Sequence, residues 1–98
     1  MRAARASDGA AMKYFRRQSD EPPHAGATFY FQVSEDFTVQ RQLIVAADGK
    51  ALSYDQAHAS DAQGQLQAEP LNEADFSLTE IEAPEFSAAW DKAKPVNR

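Results

Sequence analysis

The sequence predicts an α+β fold: an antiparallel meander of about four strands with a C-terminal helix packed on one face. Two observations lead to this fold class. Short segments of alternating apolar and polar residues, separated by turn residues, are typical of antiparallel strands. Near the C-terminus the apolar residues recur at spacings of four and three, which is typical of an amphipathic helix. With 98 residues, 43% of them hydrophobic, the chain has the size of one domain.

Four segments of the chain show the strand pattern. In the clearest of them Phe29, Phe31 and Val33 share one face, because successive side chains of a strand point to opposite sides. We expect Leu43 and Val45 of the next strand to join them in the core. The predicted strands are residues 13–17, 28–33, 38–46 and 51–54.

The connections are predicted from turn residues. Asp48 and Gly49 favour a tight type I′ turn, because both tolerate positive φ. Residues 18–26, with two prolines, form a connection without ladder pairing. Residues 55–70 are small and polar and predict a long loop without regular structure. Residues 71–76 predict a helical turn capped by Asn72.

The end of the chain predicts a brief extended segment at residues 78–81 and then the helix. Pro84 suits the first helical turn, where its missing N–H loses no partner. Phe86 and Trp90 form an apolar stripe, and Pro95 ends the helix. We expect this stripe to pack on the Phe29 face of the sheet, leaving the opposite face in solvent.

The domain organisation follows from the N-terminal composition. Residues 1–11 are small and polar without a strand pattern, and we predict a flexible tail there. Residues 12–98 form the single α+β domain. Met12 stands immediately before the first strand and is a second candidate start of translation.

Charge and composition limit the classes of partner. The net charge is −5, and residues 1–17 carry five of the ten basic but only one of the fifteen acidic residues. An acidic body repels phosphates, so we expect no nucleic-acid or membrane partner but a protein partner with a basic surface. There is no cysteine and no long apolar run. We expect a cytoplasmic monomer or homodimer that needs no cofactor.

One group of residues could carry chemistry. Asp55, His58 and Asp61 lie within seven residues and could bind a divalent ion or relay a proton. A metal-dependent or enzymatic protein that uses this loop is therefore the alternative function. A structural role is the stronger interpretation, because Asp and His in such loops mostly accept backbone N–H bonds and fix turns. We assign no catalytic residue and no metal site.

The preferred function is protein binding through the solvent face of the sheet and an acidic turn. Tyr and Ile on a flat sheet face can anchor a partner, and carboxylates suit a basic surface. The predicted contact residues are Tyr30, Gln32, Glu35, Asp36, Gln40, Gln42 and Ile44.

A set of spaced residues carries a resemblance: Phe29-Tyr30-Phe31, Arg41-Gln42, Asp48-Gly49, Tyr54-Asp55, His58, Asp61, Gly64, Glu85-Phe86 and Trp90. In these residues the sequence resembles a family of small bacterial α+β proteins, some of them immunity-like partners of polymorphic toxins. The resemblance covers about residues 12–93. It implies a bacterial source and an inhibitor that masks a basic toxin surface, but it transfers no functional residue. Glu82 departs from the family pattern, which has Ser or Thr at the helix cap.

Overall fold

The computed structural model describes residues 12–20, 25–62, 64–72, 74–75, 77–93 and 95–96. The predicted tail at residues 1–11 lies outside this set. The main sheet has the strand order β4-β3-β2-β1-β7, and a small second sheet pairs β5 with β6. The elements are β1 (Lys13–Gln18), β2 (Thr28–Val33), β3 (Val39–Val45), β4 (Ala51–Asp55), β5 (Ser60–Asp61), β6 (Gly64–Gln65), β7 (Thr79–Ile81) and α1 (Ala83–Lys92).

The predicted meander is confirmed, with one strand added. Every neighbouring pair in the main sheet is antiparallel. The brief segment predicted near residues 78–81 is β7, which pairs with β1 and makes the fifth strand. β7 returns to the first strand across a long connection, and sequence alternation gives no information on such pairing.

The C-terminal helix covers one face of the sheet. Glu82 is its N-cap without a side-chain cap bond, and Pro84 occupies the first turn. The ring of Phe86, which is completely buried, lies 5.4 Å from that of Tyr14. Trp90 stacks on Phe86 at 5.8 Å. α1 therefore packs on the face that carries Tyr14. In the described residues no helix is long and apolar enough to cross a bilayer.

The opposite face is covered as well, so the prediction of a solvent-exposed face is wrong. Phe15, Phe31 and Val39 form a buried cluster there with Leu71. Residues 65–71, which we call the covering segment, cross this face and bring Leu71 onto it. Burying an aliphatic or aromatic side chain stabilises the fold by about 1.5–3 kcal/mol. A small domain gains stability from covering both faces of its main sheet.

The predicted core grouping is wrong because β3 contains a β-bulge. Val33 pairs with Val39, whereas Gln32 pairs with Arg41, so Gln40 is an extra residue in β3. An extra residue reverses which side chains share a face. Leu43 therefore points to the helix side of the sheet.

As a result, the expected set of core residues is divided between the two faces. Phe29 and Phe31 pair with Ile44 and Gln42, and all four lie on the face away from α1. Leu43 and Val45 lie on the helix face. The prediction that Phe29 and Phe31 would pack under Phe86 and Trp90 is wrong.

The turn between β3 and β4 differs from the predicted type I′ turn. Gly49 donates to the Ala46 carbonyl at 2.9 Å, and Ala46 N–H donates to Lys50 O at 2.7 Å. Gly49 has φ +91°, and Asp48 has no positive φ. A type I′ turn needs positive φ at both central residues. The connection is instead a three-residue loop that ends in a left-handed glycine.

Two further predictions concern residues 55–76. The predicted loop at residues 55–70 contains the short hairpin of β5 and β6, so the prediction of no regular structure is wrong. At the predicted helical turn, Asn72 Oδ1 accepts the N–H of Ala74 at 2.9 Å. Residues 73 and 76 lie outside the described residues.

Candidate functional site

The predicted contact residues do not share a single face. Tyr30 and Gln32 are half-buried on the helix side of the sheet. Gln42 and Ile44 lie on the opposite side, and each is only 4% exposed. The interpretation of these four residues as one exposed surface is wrong, because both faces are covered and the bulge changes the alternation.

The side chain of Gln42 has a structural role on the buried face of the sheet. Its Nε2 donates to the carbonyl of Gln65 at 3.2 Å, and its Oε1 accepts the N–H of Gln67 at 2.9 Å. One buried amide thus satisfies two backbone groups of the covering segment, as a neighbouring strand would do. These bonds hold the segment against the sheet and keep Gln42 from contacting a partner.

The other predicted contact residues remain accessible at one end of the sheet. Glu35 and Asp36 are exposed in the turn between β2 and β3. Gln40 lies at the bulge beside this turn, and its Nε2 donates to Thr38 O at 3.3 Å. We call residues 34–38 the hairpin tip.

The hairpin tip has a strained backbone. Ser34 N–H donates to Thr38 O at 3.0 Å, and Phe37 N–H donates to Ser34 O at 2.8 Å. These bonds close a three-residue loop with Phe37 at φ +68°. This left-handed conformation costs an L-residue about 1–2 kcal/mol, and a bulky residue rarely adopts it.

Tertiary contacts of Phe37 offset this strain. Its ring lies 5.6 Å from the ring of Phe15, and the ammonium of Lys13 lies 5.5 Å above it. The carbonyl of Phe37 accepts the N–H of Leu71 at 2.9 Å. The tip is therefore fastened to both β1 and the covering segment.

The carboxylate of Asp36 is held in its ionised form. The Ser34 hydroxyl donates to Asp36 Oδ1 at 2.6 Å, and the Thr38 N–H donates to the same oxygen at 3.0 Å. Bonds from the Ser34 hydroxyl first, then from the side chain and N–H of Thr38, lower the pKa of Asp36 from 3.8 to about 2. Glu35 is exposed beside it. The tip thus presents two adjacent carboxylates on a fixed backbone.

Arg41 is a further candidate residue that the sequence pattern does not indicate. It follows the bulge at Gln40 and pairs with Gln32, and its guanidinium lies over the rings of Phe86 and Trp90. Without the extra residue at Gln40, Arg41 would pair with Phe31 and lie on the face away from α1. The sequence signal for Phe37 is the spacing of residues 34–38, which repeats that of residues 46–50 with phenylalanine in the glycine position.

The predicted Asp55, His58 and Asp61 group is used to fix the loop. Asp55 Oδ1 accepts the N–H of Ala57 at 3.0 Å and that of His58 at 2.8 Å. His58 Nε2 lies 2.9 Å from Asp61 Oδ2. Within the part of the chain that the structure describes, no three His, Asp or Glu side chains are arranged to hold a metal ion.

Asp61 is the centre of that loop. Its Oδ1 accepts the hydroxyl of Tyr54 at 3.0 Å and the N–H of Gly64 at 3.2 Å. Tyr54 is completely buried. A Cβ at Gly64 would stand 2.9 Å from the Tyr54 oxygen, so any larger residue there would displace the buried Tyr54 hydroxyl. These contacts anchor the β5–β6 hairpin to the core.

Exposed charge in the described residues is predominantly negative. Nine carboxylate residues are exposed, against four basic residues. The exposed acidic residues are Asp20, Glu35, Asp36, Asp48, Glu69, Glu80, Glu82, Glu85 and Asp91, and the exposed basic residues are Lys13, Arg16, Lys50 and Lys92.

Comparisons with protein-family models, curated proteins and solved structures find no match to this chain.

Proposed function

We propose that this protein is a small acidic protein-binding domain that contacts a basic partner through the hairpin tip. The supporting observation is that Glu35 and Asp36 are exposed on a turn whose neighbour, Phe37, has φ +68°. Strained backbone concentrates at functional sites, where surrounding contacts maintain it. Here those contacts come from Phe15 and Leu71.

The rigidity of the tip favours binding in a definite way. A loop that is already ordered loses little conformational entropy when a partner binds, so more of the interaction energy appears as affinity. The bonds from Ser34 and Thr38 hold Asp36 in place and in its charged form. A basic side chain of a partner would meet a prearranged carboxylate pair.

The wider charge distribution supports the same partner class. The exposed surface carries nine acidic and four basic residues in the described part of the chain. Such a surplus accelerates association with a basic surface, and added salt weakens that effect. It opposes binding to phosphate backbones.

The partner class suggested by the resemblance is a basic toxin, which an immunity-type inhibitor would mask. A cytoplasmic location belongs to this proposal, and cell fractionation tests it. Genes next to this one provide the first candidates. Production of the neighbouring product with and without this chain tests whether growth is protected.

A capture experiment from the native host tests the hairpin tip directly. The bait is the full chain, compared with Glu35→Lys, which reverses one exposed charge at the tip. Asp91→Lys is the matched control, because it makes the same charge change at an exposed position of α1. We expect a basic protein that the wild type and Asp91→Lys retain, that Glu35→Lys loses, and that added salt releases.

Retention of the same proteins by all three baits would contradict the proposal that the tip is the contact. If the retained proteins are acidic or are nucleic-acid complexes, the partner class is wrong. Circular dichroism of each variant separates a lost contact from a lost fold.

A further inference from the structure

Arg41 differs from the other described arginines in what it contacts. Arg16 lies 2.9 Å from the Glu85 carboxylate, and Arg17 lies 3.7 Å from that of Asp75. Arg41 has no carboxylate at salt-bridge distance in the described part of the chain. Yet it is half-buried, where an unpaired charge is more costly than at the surface.

The guanidinium of Arg41 is held in a fixed position. Its carbon lies 4.9 Å from the ring centroid of Phe86 and 4.8 Å from that of Trp90. Its Nε donates to Gln32 Oε1 at 2.5 Å. Gln32 in turn donates from Nε2 to the Tyr14 hydroxyl at 3.4 Å. Two rings and one amide thus fix the plane and the direction of the group.

The two terminal amino groups of Arg41 have unused N–H donors. No described residue accepts a hydrogen bond from Nη1 or Nη2. These groups present two parallel N–H donors, which match the two oxygens of a carboxylate. Because the stack and Gln32 have already ordered the side chain, little entropy remains to be lost when an anion binds.

We propose that Arg41 binds a carboxylate from outside the chain, using Nη1 and Nη2 while Phe86, Trp90 and Gln32 hold the guanidinium. The bound carboxylate would supply the counter-charge that Arg41 lacks. Asp55, which faces Arg41 across the strand pair, does not fill this role. Its Oδ1 is bound to the N–H groups of Ala57 and His58.

This site is distinct from the hairpin tip, because it selects an anion and the tip selects a cation. Its test needs no protein partner. Trp90 is the only tryptophan and touches the guanidinium, so its fluorescence reports on binding. The experiment titrates sodium acetate into the full chain at constant ionic strength, with chloride as the replaced anion, and records fluorescence and the NMR signals of the Arg41 side chain.

We expect a saturable fluorescence change and a shift of the Arg41 Nη signals. Arg41→Lys keeps the positive charge but loses the two-pronged geometry, so its half-saturation concentration should rise at least about tenfold. Arg16→Lys is the control, because Arg16 is exposed and already paired, and it should titrate like the wild type.

Two further titrations identify the ligand class. A blocked Gly-Glu-Gly peptide that saturates at lower concentration than acetate assigns the site to an acidic side chain of a protein. If acetate saturates the site at a concentration equal to or lower than that of the peptide, the site is assigned to free organic acids. Inorganic phosphate that binds as tightly as acetate would overturn the carboxylate assignment.

The proposal fails if wild-type Arg41 Nη signals show no saturable shift with acetate. That measurement is decisive even if Arg41→Lys does not fold. An identical fluorescence titration in a folded Arg41→Lys variant would also overturn it, because the change would then not depend on the guanidinium.

Discussion

The two hairpin turns of the central strands share one backbone hydrogen-bond pattern, but different residue types occupy their left-handed position. Residues 34–38 and 46–50 each close with a bond from the first N–H to the fifth carbonyl. In each, an aspartate at the third position accepts the N–H of the fifth residue at 3.0 Å. The fourth position is left-handed in both, but it is Phe37 in one turn and Gly49 in the other.

The difference shows what each turn depends on. Gly49 adopts positive φ without steric cost, and no atom lies within 4 Å of where its Cβ would be. That turn is determined by its own sequence. Phe37 adopts the same conformation only because Phe15 and Leu71 hold its ring and its carbonyl. The tip is therefore a product of tertiary structure, which is expected of a site rather than of a simple connection.

The largest predicted effect follows from removing the ring that fastens the tip. Phe37→Ala keeps the left-handed strain and loses the contact with Phe15, so unfolding free energy should fall by about 2 kcal/mol, roughly half the cost at a fully buried site. Urea denaturation measures this. A loss below about 0.5 kcal/mol would mean that the ring does not hold the turn.

A smaller effect is predicted in the other turn. Gly49→Ala should destabilise the protein by about 1 kcal/mol, the cost of a left-handed L-residue, since its Cβ meets no other atom. The same denaturation series tests it. An unchanged denaturation midpoint would show that this turn can relax to another geometry. The two turns would then not depend on the same left-handed backbone conformation.

The smallest predicted effect concerns pH. The folded-state pKa of Asp36 is lowered from 3.8 to about 2, so its ionised form stabilises the fold above about pH 4. That contribution is lost as the pH falls through about 2. Asp36→Asn should flatten the dependence of stability on pH between 4 and 2.

Asp48→Asn is the matched control for this change. Asp48 makes the equivalent bond to Lys50 N–H but has Ala46 where the tip has Ser34. We expect it to retain most of the wild-type slope. Equal slopes in the wild type and Asp36→Asn would contradict the assignment of the low pKa to the hydrogen bonds of the tip.

The strands and the helix could be predicted because their signals are local. Alternation around Phe29 to Val33 and the spacing of Phe86 and Trp90 describe single elements. Both are present in the structure. Pro84 also marks the helix start correctly, although Glu82 makes no side-chain cap bond.

The candidate site could not be predicted because the residues that determine its geometry lie far apart in sequence. The bulge at Gln40 decides which face Arg41 occupies, and it is visible only when β3 is paired with β2. Leu71 buries the face that contains Gln42, although the two are far apart in the chain. The conformation of Phe37 depends on Leu71 as well, so its sequence alone predicts only a polar turn.

The central claim is that Phe37 is held in a backbone conformation that its own residue type disfavours. The most direct test compares Phe37→Gly with Phe37→Ala, since both lose the ring and only alanine keeps the strain. We predict that the glycine variant is more stable by about 1 kcal/mol. The control pair is Glu35→Gly and Glu35→Ala, at a position where φ is not positive. There the alanine variant should be the more stable of the two. If alanine is as stable as glycine at position 37, the claim is contradicted.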